Sequence, residues 1–542
     1  ANTSYLPKKK DAEILTGSNG FAFAPSVTAS GNSILYINPH VTFYFRPEVH
    51  MVSNEGLNAY GAVTWGQFFV YQGFNEHCGW MHTSSAVDIS DLYAEKVSKK
   101  NTGFVYDYAG LKKAVAQKNI TLHYKDNNRL KTKTITTFAT HHGPVMAKRD
   151  GDWISVKAVN RSLNGLIQSW QRIKTTSFAG YKKAMDLKAN TSNNTVYADA
   201  EGNIAYWHGN FIPVRDTAYD WSKPVDGTIK ATEWNGLHTV AQSVHLYNPK
   251  NGWIQNCNST PFTAAGSNSP DPKNYPVYMA PDGENFRGLN AVRVLTNKKS
   301  LTLDSVIAAG YDTYLSAFAV LVPALLQAYE KAALPDSALR APMVILKSWN
   351  YRVDTASIAT TLAAEWGQKL LPFIQQFEAE GDQVARTTAF ATNATPQQLL
   401  QPFKEAINEL TTNWGSWQIA WGRINRFQRV SGGVAQVYND SLPSLAVPFA
   451  SSTWGMLPSY VSRQYPGTKK RYGVNGNSFI CAVEFGKTVK AKSLLAGGES
   501  GDPQSPHFFD QARMYTTGTF KDVLFYKDDV VKHAARTYHP GE

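Results

Sequence analysis

The spacing of apolar residues changes twice along this chain and divides it into three stretches. After a polar opening (residues 1–17, with Pro7 and Lys8-Lys9-Lys10), residues 18–299 read mainly as strands. Short apolar runs such as Phe21-Ala22-Phe23-Ala24 stop at Gly, Pro, Asn and Asp. Ile120-Thr121-Leu122-His123-Tyr124 and Thr132-Lys133-Thr134-Ile135-Thr136 alternate on either side of Asp126-Asn127-Asn128, which predicts a hairpin. Across residues 300–428 the period lengthens. Val306, Ala309, Tyr311, Leu315, Phe318 and Leu321 predict one buried helical stripe with a kink at Pro323, and Leu399, Leu400, Phe403, Ile407 and Leu410 predict a second. Strand-like text returns over 429–542, without internal repeats or low-complexity tracts. Strands, then helices, then strands predict an α+β fold of packed layers with a helical insertion.

Composition narrows the function classes. With 542 residues, 43% hydrophobic and 12% aromatic, the chain is long and apolar enough to bury a large core. A net charge of +12 raises nucleic acid as a partner, but the basic residues are dispersed: Lys8-Lys9-Lys10 and Lys469-Lys470-Arg471 are the densest clusters. Such a spread favours solubility or attraction to an anionic envelope over a nucleic-acid footprint. The most apolar stretch, Thr313 to Tyr329, is interrupted by Ser316, Pro323 and Gln327 and is too short to span a bilayer. Cys78, Cys257 and Cys481 form no CxxC pair, which argues against a zinc cluster.

Candidate chemistry begins at Gly17-Ser18-Asn19. Cutting the Gly17–Ser18 bond would give Ser18 a free α-amino group, whose reference pKa of roughly 7.7–8.0 suits a general base near neutral pH. One residue would then be both nucleophile and base, without a histidine–aspartate relay. A rival set, Ser500, His507 and Asp510, falls within eleven residues and lacks a Gly-x-Ser-x-Gly elbow, so it reads as a structural loop. His141-His142 suggests a metal pair, but neighbours on a strand face opposite sides, and the pair is read as structural.

Several segments, in order, resemble the penicillin acylase family of N-terminal-nucleophile amidohydrolases, in particular its large β subunit and its acyl-homoserine-lactone acylases. They are Ser18-Asn19-Gly20-Phe21 through Asn38-Pro39-His40, Gly73-Phe74-Asn75, and Gly79-Trp80-Met81-His82-Thr83. Tyr197-Ala198-Asp199-Ala200-Glu201-Gly202-Asn203, Ile212-Pro213-Val214-Arg215 and Asn256-Cys257-Asn258-Ser259 follow, and Ser505-Pro506-His507-Phe508 closes the series. The resemblance runs from Ser18 to the C-terminus and implies a four-layer αββα sandwich. It also implies a precursor, exported to the periplasm or secreted, in which a signal and a small α subunit precede this chain and residues 1–17 are a spacer.

The resemblance further implies site residues. Ser18 would be the nucleophile, and His40 would hold or tune its amine. The Ser84 backbone N–H and the Asn258 side chain would form the oxyanion hole, and Arg293, 35 positions after Asn258, would orient the site. Val41 and Tyr71 would line the acyl pocket. Catalysis would need no cofactor. Asp88, Ser90, Asp91, Pro213 and Asp282 resemble the ligands of a structural Ca²⁺. The expected substrate is a small N-acyl amide, an acyl-homoserine lactone or relative, with a penicillin or cephalosporin as the alternative. A non-catalytic binding protein on the same scaffold is the remaining class.

Overall fold

Strands with apolar residues on both faces need cover on both sides, and two sheets here have that character. In the strand Gly17–Phe23, Phe21 and Phe23 enter one core while Ala22 enters another. In Ser33–Thr42, Ile34 and Tyr36 face the first core and Leu35 and Ile37 the second. The partner sheet repeats the pattern: Met81, Val196 and Tyr206 face the shared core, whereas Trp80, Tyr197 and Trp207 face a third. The computed structural model describes residues 17–542 apart from 102, 159–161, 191, 333–335 and 540. The expected spacer, save Gly17, lies outside the described residues.

These three cores stack into four layers. Helices between Phe286 and Ile424 cover a ten-stranded sheet, which packs face to face on a seven-stranded sheet. Behind the latter lie the helices Asn164–Ile173 and Phe178–Met185. The αββα sandwich expected from the resemblance is therefore the observed architecture. At Gly20 the two sheets approach so closely that a Cβ would lie 2.8 Å from Met81 Cγ, which accounts for a glycine next to the candidate nucleophile. Among the described residues no helix is long and apolar enough to cross a membrane.

The hairpin predicted near Asp126 forms from Ala116–Asp126 and Arg129–Ala139, with Asn127 and Asn128 both at positive φ, as its two-residue turn requires. The predicted stripe from Val306 to Leu321 is two helices, Leu303–Gly310 and Phe318–Glu330, because the chain turns between them. Pro323 sits inside the second, and the other predicted stripe is the helix Pro396–Trp414.

Candidate active site

The site is assembled where three strands end together. Gly17–Phe23 pairs with Ser33–Thr42 in a register that sets Gly17 opposite His40 and Ser18 opposite Pro39. On its other edge it pairs with Trp253–Asn256, Gly20 opposite Asn256, so the chain leaving that strand passes Ser18 as Cys257-Asn258. Asn258 adopts a left-handed φ of 58°, a conformation asparagine tolerates better than most residues. Its turn is fixed by the Asn258 N–H donating to Asn256 Oδ1 (3.0 Å) and by Asn285 Nδ2 donating to the Asn258 carbonyl (3.1 Å).

Ser18 is buried, 4% exposed. Its backbone N–H donates to Asn258 Oδ1 at 2.6 Å, and its hydroxyl contacts the Gly17 carbonyl oxygen. Asn258 Nδ2 donates to the Ser84 carbonyl at 2.8 Å, so Ser18, Asn258 and Ser84 form one connected unit. His40 Nε2 donates to Asn38 Oδ1 at 2.7 Å, which leaves Nδ1 as a buried acceptor with no hydrogen-bond partner. That Nδ1 lies 3.4 Å from where a Cβ on Gly17 would be. Burial first, and the charge of Arg287 second, hold the His40 pKa well below its ordinary value, so the ring is neutral.

Arg287, a residue not singled out in the sequence, completes the unit from the first turn of the helix Phe286–Leu295. Its Nη1 donates to the Ser18 carbonyl (2.7 Å) and Asn19 Oδ1 (2.9 Å), and its Nη2 to Asn258 Oδ1 (3.0 Å). The structure does not bring Arg293 there. Six residues on, roughly 240° around the helix axis at 3.6 residues per turn, Arg293 instead reaches Asp312 at 2.8 Å and Asn290 at 2.9 Å and is half exposed.

A cleft of about 780 Å³ opens beside this unit, a size suited to a small-molecule ligand. Gly17, His40, Ser84, Asn258 and Arg287 form its floor; Leu371 and Ile374 from the insertion, with Phe286 and Trp454, supply apolar wall. Val41 and Tyr71 are not in that wall. Tyr71 accepts from Asn193 Nδ2 through its hydroxyl (2.8 Å) and packs against the outer core of the seven-stranded sheet.

Two of the expected calcium ligands, Asp88 and Asp91, are engaged by a protein cation. Arg215 Nε donates to Asp91 Oδ2 at 2.8 Å and its Nη2 to the Asp88 carbonyl at 2.9 Å, with the guanidinium fully buried. Asp282 accepts from the Ala86 N–H at 2.8 Å and lies 3.2 Å from His208 Nε2. Ser90 is engaged in a strand and Pro213 bridges to Leu237. Arg215 takes Asp91 Oδ2 and the Asp88 carbonyl, while Asp91 Oδ1 and Asp282 Oδ2 remain buried without a hydrogen-bond partner.

The rival triad does not assemble. His507 Nδ1 and Asp510 Oδ2 are 2.9 Å apart on the surface, but the Ser500 hydroxyl accepts from the Asp502 N–H instead of meeting the imidazole. The three cysteines are buried and free, and burial pushes the Cys257 thiol up to about 12, which removes it as a nucleophile.

Known proteins resemble this chain over most of its length. The family described as "Penicillin amidase" matches residues 2–532. "Acyl-homoserine lactone acylase PvdQ" of Pseudomonas putida is 25% identical over 549 residues, covering 94% of this chain and 68% of that protein. "Penicillin G acylase" of Escherichia coli is 27% identical over 258 residues, 45% of this chain and 29% of its own length. Among solved structures, a thermostable penicillin G acylase from Alcaligenes faecalis superimposes with a TM-score of 0.69 at 17% identity, over 96% of this chain and 99% of that one. The chain belongs to the penicillin amidase family, whose members are processed into subunits, and it is an amidohydrolase of the acylase type.

Proposed function

We propose that Ser18, freed as an N-terminus, hydrolyses the amide between an apolar acyl chain and a polar amine, with acyl-homoserine lactones as the substrate class. The observation that carries this reading is the 2.6 Å contact from Ser18 N to Asn258 Oδ1. In the uncut chain that nitrogen is an amide with no basic lone pair. In the first step Ser18 Oγ attacks the Gly17 carbonyl beside it, the C–N bond breaks as nitrogen takes the proton, and the resulting ester is hydrolysed by water. The freed amine keeps one N–H on Asn258 Oδ1 and turns its lone pair toward Oγ.

Turnover repeats the chemistry on the substrate. The amine takes the Oγ proton as Oγ attacks the acyl carbonyl, returns it to the leaving amine, and then activates the water that resolves the acyl-enzyme. Departure of Gly17 opens His40 Nδ1 to the cleft, where a neutral acceptor orients the ammonium form of Ser18. Asn258 Nδ2 and the Ser84 N–H serve as oxyanion donors, and Arg287 fixes Asn258.

The acyl-homoserine lactone reading is supported by the coverage of the relatives, 94% of the chain for the Pseudomonas putida acylase against 45% for the Escherichia coli penicillin acylase, and by His40. A panel of medium-chain acyl-homoserine lactones and penicillins G and V tests it. Preferred turnover of a penicillin overturns the substrate class and leaves the mechanism standing. Loss of product release in Ser18→Ala separates enzyme from binding protein.

The reading includes an α subunit from the same precursor and export to the periplasm or beyond. Leu163, Leu166, Ile167 and Trp170 stand 75%, 45%, 43% and 37% exposed on one helical stripe, continuous with exposed Phe68, whose ring lies 5.9 Å from Trp170. An apolar stripe of this length asks for a partner surface. Co-purification of a second polypeptide, lost on Leu166→Lys with Trp170→Glu, is the expected result; an unchanged single chain refutes it.

A further inference from the structure

Outside the cleft, on the four-stranded sheet built from Ser90–Glu95, Val145–Arg149, Asp152–Ala158 and Val225–Asp226, three ligand-type side chains converge. His141 and His142 are not on a strand but in the bend after Arg129–Ala139, so their rings lie on one side, centroids 3.8 Å apart. His141 Nε2 is 2.7 Å and His142 Nε2 3.1 Å from the same oxygen, Glu233 Oε1. The pair read from the sequence as merely structural is thus a converging donor set.

Proton bookkeeping shows what this set lacks. His142 Nδ1 lies 2.8 Å from Glu95 Oε1, and both side chains are fully buried. That same oxygen accepts from Thr140 Oγ1 (2.6 Å) and Ser155 Oγ (2.5 Å). A neutral imidazole has a single N–H. That N–H can serve Glu95 Oε1 at 2.8 Å or Glu233 Oε1 at 3.1 Å, but not both. On His141 the second nitrogen, Nδ1, lies 2.9 Å from the Tyr106 hydroxyl, which also accepts from the His141 backbone N–H at 3.2 Å. Lys157 Nζ takes Glu233 Oε2 at 2.6 Å, leaving Oε1 alone for the histidines.

We propose that His141 Nε2, His142 Nε2 and Glu233 Oε1 bind a divalent first-row transition ion of the zinc class, with water as the fourth ligand. Neutral imidazoles whose second nitrogen is held by a carboxylate or hydroxyl are the usual zinc donors, and two histidines with one carboxylate are a zinc set. Tetrahedral zinc with bonds of about 2.0–2.1 Å separates its ligand atoms by ~3.3 Å. The observed 2.7 and 3.1 Å therefore need to open by about 0.6 and 0.2 Å. None of these residues lines the acylase cleft, so the ion takes no part in the acylase step; it ties the bend to the loop that carries Glu233. The competing occupant is a proton, with His142 as an imidazolium between two carboxylates.

The test uses untagged full-length protein stripped with a chelator and titrated with ZnCl₂. Expected are stoichiometric zinc that survives gel filtration, and an X-ray absorption spectrum of the zinc-loaded wild type with two imidazole ligands. Glu233→Gln and His141→Gln should each weaken zinc binding by more than roughly 100-fold, beyond the 10–100-fold typical of losing an outer-shell partner. Acylase activity should stay near wild type. Absence of stoichiometric zinc, binding undiminished in both variants, or a spectrum without paired imidazoles overturns the proposal. The spectrum is read on wild type, so it decides the matter even where a variant fails to fold.

Discussion

Arg287→Met separates a residue that orients the nucleophile from one that merely neighbours it in sequence. Arg287 makes three charge-assisted hydrogen bonds of 2.7–3.0 Å to Ser18 O, Asn19 Oδ1 and Asn258 Oδ1. Methionine fills similar space and makes none. Two of the three acceptors then stay buried without this donor, at about 1–3 kcal/mol each, or about 2–6 kcal/mol of stability, offset in part because a guanidinium no longer needs desolvation. For catalysis the consequence passes through Asn258. Misplacing one oxyanion donor costs about 2.7–4 kcal/mol, or 10²–10³ in kcat.

Arg293, half exposed and paired with Asp312, belongs to the class of ion pairs worth about 0–1 kcal/mol. The assay is kcat/KM on a chromogenic N-acyl amide, with Gly17–Ser18 cleavage followed by intact mass, for Arg287→Met, Arg287→Lys and Arg293→Met. Arg287→Met should lose at least about a hundredfold and Arg287→Lys an intermediate amount, since an ammonium cannot span three acceptors in a fork. Arg293→Met should stay within about threefold. Arg287 variants within threefold of wild type, or an Arg293 loss equal to that of Arg287→Met, would refute the assignment.

The pH dependence should show an acidic limb in kcat/KM set by the Ser18 amine near its reference range of roughly 7.7–8.0. Stability should follow the buried imidazoles: His40 and His82 are both held well below 6.5, so the unfolded chain takes up protons that the folded one refuses. Their stabilisation is complete above ~6.5 and erodes as pH falls below it, by up to about 1.4 kcal/mol per unit for each group. Denaturant melts from pH 7.5 to 5 check this, with His40→Gln showing the shallower slope. Arg215→Met, which strands buried Asp91, should destabilise by about 3–5 kcal/mol in the same denaturant melts.

The layer order was legible because strands buried on both faces leave unbroken apolar runs and helices leave a longer period. Ser18 and His40 were legible together because one hairpin joins them, and a hairpin register needs little beyond local sequence. Arg287 was not. Two arginines six residues apart share a helix, and only the path from Asn258 through the short turns to Phe286 decides which one faces Ser18. Asp88 and Asp91 look like calcium ligands in one dimension, while the cation that claims them, Arg215, arrives from 124 positions beyond Asp91. The helix Asn164–Ile173 was missed because its apolar stripe faces outward and its buried residues include Gln168, Ser169 and Arg172. The helical rule assumes the opposite arrangement. His141-His142 was misread through the strand period, which a bend does not obey.

The central claim is that one residue, Ser18, supplies both nucleophile and base after its amide bond is cut. Mass spectrometry of the active enzyme, quenched during turnover of an N-acyl substrate, tests this most directly. The account predicts a terminus of Ser-Asn-Gly-Phe carrying the acyl group as an ester on Ser18. Full activity in protein whose Gly17–Ser18 bond is intact, or acyl found on Ser500, would contradict it.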